Sequence, residues 1–81
     1  MDLAQISQRV SYTELVYQRV NKKLNIELSK PAIEALVQAV LSDATTTIER
    51  RGKNYYVSSV TRQVQLVVNA GNFRLITVNK L

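Results

Sequence analysis

Arg62-Gln63-Val64-Gln65-Leu66-Val67-Val68-Asn69-Ala70-Gly71-Asn72-Phe73-Arg74-Leu75-Ile76-Thr77-Val78 decides the fold. Residues 62–68 alternate polar and apolar, then turn β-branched, which predicts a half-buried strand. Asn69-Ala70-Gly71-Asn72 reads as a turn, with Gly71 free to take positive φ. Phe73 to Val78 forms the returning strand. With Ala70 and Gly71 spanning the turn, Val68 faces Phe73, Leu66 faces Leu75 and Val64 faces Thr77. Those six side chains then share one face, the natural core face. The opposite face presents Gln63, Gln65, Val67, Arg74, Ile76, Val78 and Lys80, basic at its margins and apolar in its middle. A three-residue turn with a bulge would exchange the two faces.

Upstream, Tyr55-Tyr56-Val57-Ser58 predicts a further strand, so the second half reads as a meander. The first half reads as helix. Ser29 caps a helix with Pro31 in its first turn, where a missing N–H costs nothing. Ile33, Leu36, Val37, Val40 and Leu41 then recur at i, i+3, i+4, i+7 and i+8. An earlier helix runs through Leu15, Val16, Val20 and Leu24, and Ser11-Tyr12-Thr13-Glu14 has the form of a capping box for it. Leu3, Ile6 and Val10 lie on either a separate turn or the same helix continued through Ser11. Asn25 to Glu27 break the pattern. Residues 45–51 are open between a last helical turn and a first short strand, because Thr45-Thr46-Thr47 are poor helix formers. The fold class expected is α+β: two N-terminal helices packed on one face of a three-stranded antiparallel β-meander. Residues 1–81 form a single domain, with 1–43 a helical half and 44–81 a basic β half.

Eighty-one residues allow one domain with a thin core, since a chain this short buries roughly 60–65% of its unfolded surface. There is no cysteine, histidine or tryptophan. Disulfides and Cys/His zinc sites are excluded, and the usual general base and thiol nucleophile are missing. No cofactor, metal or small-molecule substrate is inferred, and no enzymatic role is expected. No apolar run approaches the ~20 residues of a membrane span, and the N-terminus lacks a signal-peptide core. A cytoplasmic location is expected.

Charge divides the chain. Residues 1–43 balance Arg9, Arg19, Lys22, Lys23 and Lys30 against Asp2, Glu14, Glu27, Glu34 and Asp43. Residues 44–81 set Arg50, Arg51, Lys53, Arg62, Arg74 and Lys80 against Glu49 alone. A local field of one sign attracts polyanions. Arg50, Arg51 and Lys53 surround Gly52 and would hold phosphates, with Tyr55 or Tyr56 offering a ring to a base. Arg62, Arg74 and Lys80 extend that footprint across the sheet. Against this stands a structural account, in which the cations are a solvated turn while one tyrosine ring enters the core and the other covers an edge. Lys22-Lys23 are explained by the helix dipole at the end of their helix.

Residues 12–24, 52–57 and 72–78 resemble an uncharacterised family of short bacterial proteins, a domain of unknown function. The resemblance covers residues 11–81 and implies a stand-alone domain without assigning an activity. Leu28 to Leu41, running on to Arg50-Arg51-Gly52-Lys53, is similar to the second helix and following turn of histone-like nucleoid proteins. The chain departs from those proteins after Val57, where no Gly-Phe-Gly turn or long arm follows.

These features favour a non-enzymatic nucleic-acid-binding domain. The second class is a protein-interaction or regulatory module of phage or mobile-element origin, whose exposed sheet face, with Val67, Ile76 and Val78, forms a partner site or the seam of a homodimer. The third is a ribonuclease similar to the RelE-like toxins, whose usual strand before the helices this chain lacks.

Overall fold

A computed structural model describes residues 2–81. Three helices, α1 (Leu3–Arg9), α2 (Glu14–Leu24) and α3 (Lys30–Ser42), precede four strands, β1 (Thr47–Arg51), β2 (Asn54–Ser59), β3 (Val64–Asn69) and β4 (Leu75–Lys80). The strands form one antiparallel sheet in the order β1-β2-β3-β4. The α+β class holds, but with one more helix and one more strand than expected.

The extra helix arises because Ser11 is not a cap. Asp2 caps α1 in a full capping box with Gln5, and α1 ends at Val10 in extended backbone (φ −56°, ψ 133°). Ser11 then joins the edge of β4. Its N–H donates to the Phe73 carbonyl and its own carbonyl accepts from the Leu75 N–H, both at 2.9 Å. Helix restarts only after Thr13, which makes no side-chain cap. At the far end of α2, Asn25 adopts left-handed backbone (φ 55°, ψ 50°), a conformation asparagine tolerates better than most residues. Ser29 caps α3 as expected, accepting from the Ala32 N–H at 3.3 Å.

The extra strand resolves residues 45–51. Asp43 accepts from the Thr45 N–H and hydroxyl at 2.9 and 2.7 Å, and the buried Thr46 hydroxyl donates back to the Val40 carbonyl at 2.8 Å. These local bonds compete with helix continuation. Thr47 to Arg51 then pair with Ser58 to Asn54.

The β3–β4 register also differs from expectation. The turn spans Ala70 to Phe73, closed by Phe73 N–H to Asn69 O and Asn69 N–H to Arg74 O, both at 2.9 Å. Val68 therefore opposes Leu75. An irregularity follows in which Ile76 is the extra residue, so Val67 opposes Thr77 and Leu66 opposes Val78. Leu75 and Val78 thus both point inward, as a β-bulge allows, while Thr77 moves to the outer face. The β3 side chains and Leu75 face as expected; after Ile76, Thr77 and Val78 exchange faces.

The core lies between the helices and the inner sheet face. Ile6, Val20, Ile33, Val37, Val40, Val57, Leu66, Val68 and Val78 are fully buried there. α1 packs on α3, α2 along β4, and α3 over β2. No described helix is long and apolar enough to cross a membrane.

Candidate nucleic-acid interface

The meander brings the β1–β2 and β3–β4 turns to the same end of the sheet, because Arg51 pairs with Asn54 and Asn54 with Asn69. The Ala70 N–H donates to the Lys53 carbonyl at 2.7 Å, tying the turns together. Gly52 enables the first turn. It has φ +59°, and Lys53, its partner in the two-residue loop, does not share the positive φ, as in a type II′ hairpin. Lys53 sits exposed at the tip.

Alternation along β1 sends Arg50 and Arg51 to opposite faces. Arg50 lies on the helix side, its guanidinium 5.8 Å from the Tyr55 ring centre and its Nε donating to the Gly52 carbonyl at 3.3 Å. Tyr55 is buried and stacks on Phe73 with centroids 6.5 Å apart, and Arg9 covers Phe73 at 5.5 Å. A continuous series Arg9–Phe73–Tyr55–Arg50 results. Arg51, on the outer face, sits 4.0 Å from the Tyr56 ring centre and pairs with Glu49 at 3.4 Å. Cation–π contacts of this kind hold the guanidinium charges over the rings. Tyr55 is therefore part of the packing. Half-buried Tyr56 carries a guanidinium plane on which a flat group can stack.

Arg74 is exposed beside the same turns, where Ser11 meets β4. Arg9 joins them from the charge-balanced half of the chain. Nothing in the sequence marked it, since its contact with Phe73 is made across the tertiary fold.

Two of the candidate residues lie elsewhere. Arg62 is in the β2–β3 turn, and Lys80 opposes Val64 at the end of β4. A strand of six residues separates that end from the first by about 17–20 Å. Asp43 is also at that end. Hydrogen bonds from Thr45 hold its carboxyl below the ordinary carboxylate value, and the Arg62 charge adds to this. The six cations thus form a group of four and two outliers, with Arg9 added to the group.

The outer sheet face is not a basic surface. Apart from Glu49 and Arg51 it carries Thr47, Asn54, Tyr56, Ser58, Gln65, Val67, Asn69, Thr77 and Asn79 by strand register. Its apolar middle is also missing: Val78 is in the core, Ile76 occupies the bulge, and Val67 is only 5% exposed among its neighbours. The apolar surface expected to join two copies does not form.

The chain belongs to the family described as "Protein of unknown function (DUF3781)", whose profile matches residues 4–79. No curated protein and no solved structure matches it. The likeness of α3 to histone-like nucleoid proteins gains no support, and the β1–β2 hairpin closes through a two-residue loop rather than extending as an arm.

Proposed function

For this member of a family of unknown function, we propose a non-enzymatic nucleic-acid-binding domain that holds a single strand at the two-turn end of the sheet. One observation supports the reading above others. Arg50, Arg51, Lys53 and Arg74 lie at that end with Arg9, Arg50 on the helix side and Arg51 on the outer face, and residues 49–54 and 69–74 contain a single carboxylate, Glu49. The exposed amine of Lys53 suits a phosphate as a point charge, and Arg50 and Arg74 offer planar donor forks. The Arg51–Tyr56 stack presents a guanidinium plane to an unstacked base. The amides and hydroxyls of the outer face lie beside it and suit the polar edges of such a base.

The test is fluorescence anisotropy with labelled single-stranded RNA and DNA across a salt series. Binding at low salt should weaken with a log–log slope of about −3, as about four to five phosphate contacts require. Absence of binding at low ionic strength would remove the proposal.

A further inference from the structure

We propose that the groove between α2 and the start of β4 docks an acidic amphipathic helix of a partner protein. At its centre is Leu15, an apolar side chain left 66% exposed on a helix that otherwise buries Val16, Val20 and Leu24. Two hollows of about 640 and 210 Å³ adjoin it, both lined by Leu15 and Arg19; the larger runs along the outward face of α2, and the smaller lies between α2 and the start of β4. Lys22 and Lys23 border the larger hollow, and Arg74 and Ile76 the smaller. Leu15, Arg19 and Lys22 follow i, i+4, i+7, so they form one outward stripe.

The charge on this stripe is uncompensated. Glu14 is the one acid of α2, and its carboxylate is turned to Lys30 of α3, with Nζ at 2.6–2.7 Å. Among the described residues neither Arg19, Lys22, Lys23 nor Arg74 takes part in an ion pair. The helix dipole accounts for Lys22 and Lys23 at the end of α2, but for neither Arg19 nor the exposed leucine. Arg19 is also oriented: Nη1 donates to the Ile76 carbonyl at 3.1 Å. That bond fixes the guanidinium over the bulge and leaves its other N–H groups free.

An apolar anchor ringed by cations matches a ligand with an apolar stripe flanked by carboxylates, the complement used in helix-in-groove recognition. Leu15 to Lys23 covers about 12 Å of helix, a length that two to three turns of a partner span. A nucleic-acid strand fits less well, because among the described residues no aromatic ring lines either hollow to stack a base. A second copy fits poorly too, since symmetric pairing would set these cations against themselves. This groove is separate from the turn cluster except for Arg74, which stands between them.

The experiment uses amide chemical-shift mapping and anisotropy on the full chain. The probe is a labelled helical peptide of about 14 residues with a leucine stripe flanked by glutamates. Controls are a scrambled peptide of the same composition and a labelled single-stranded RNA. Shifts from the helical peptide should centre on residues 15–23 and 74–76. Leu15→Asp and the double change Lys22→Glu with Lys23→Glu should each weaken binding at least tenfold, while Lys53→Glu leaves it unchanged. Both variants alter exposed side chains, so folding is retained, which the unperturbed core amide shifts verify. Equal binding of the scrambled peptide, shifts centred on the hairpin turns, no binding, or larger groove shifts from the RNA would each overturn the proposal.

Discussion

Phe73 adopts left-handed backbone, with φ +59°, although Gly71 two residues earlier was the residue expected to take that conformation. Asn69 is the cause. Its side-chain oxygen accepts from the Gly71 and Asn72 N–H groups at 2.8 and 3.0 Å and fixes the turn before the chain reaches Phe73. The strain at Phe73 is offset by its ring lying between Tyr55 and Arg9. In the other turn a glycine does take positive φ. Gly52→Ala meets no steric obstacle, yet should cost about 1–2 kcal/mol through backbone strain alone, measured by urea denaturation. Tyr12 offers a test of the opposite sign. Its ring stacks on Tyr17 at 5.6 Å, and its buried hydroxyl has no hydrogen-bond partner among the described residues, whereas the Tyr17 hydroxyl donates to Glu34. Tyr12→Phe should therefore stabilise the protein by about 1 kcal/mol at neutral pH. Burial, then the Glu34 and Tyr17 charges, pushes the Tyr12 phenol from 10.0 to about 12. The folded state keeps a proton that the unfolded state releases. This contribution is fully present below pH 10.0 and is lost as pH rises to about 12. A pH series of denaturant midpoints should show that decline reduced in Tyr12→Phe.

At the level of elements, α1 and β1 are the two whose existence the sequence left open, and they are held in opposite ways. α1 has seven residues, too few for a helix to persist alone. Tertiary contacts hold it: Ile6 is fully buried, and Gln38 of α3 exchanges hydrogen bonds with the Ser7 hydroxyl and carbonyl. Ile6→Ala should cost about 2–5 kcal/mol, seen as a lower urea midpoint. A frayed, optional α1 would show almost no change. β1 depends on β2 for its pairing and leaves four of its five residues exposed. Glu49, Arg50 and Arg51 place charge along this edge, which discourages pairing with another chain. Both elements were ambiguous for the same reason. Three to five apolar or β-branched residues carry too little periodicity to separate helix from strand until a neighbour pairs with them.

For the whole molecule, the distribution of charge matters more than the net +5. The turn cluster and the Arg62–Lys80 end lie a strand length apart, so the polyanion binding proposed for the cluster can be tested at each end separately. Arg50→Ala and Lys53→Ala should each flatten the salt dependence by about 0.7 in log–log slope. Arg62→Ala and Lys80→Ala should leave it unchanged. Equal losses at both ends would show that binding follows total charge and uses no localised site. The excess of cations after residue 43 was visible in the sequence, as was the proximity of Arg50, Arg51 and Lys53, since they flank one turn. The membership of Arg9 and the departure of Arg62 and Lys80 were not visible, because strand direction decides which turns meet.

The sequence by itself determined the α+β class, the cap and first turn of α3, the inward side chains of β3 and the absence of Cys/His chemistry. These depend on residue type and on periodicities of 3.6 and 2, which are local. Tertiary structure alone decided that Ser11 bridges to β4, that Ile76 bulges so that Leu75 and Val78 both enter the core, and which cations stand together. Each of these depends on hydrogen bonds between segments far apart in the chain, and one inserted residue in a strand is enough to send every later side chain to the other face.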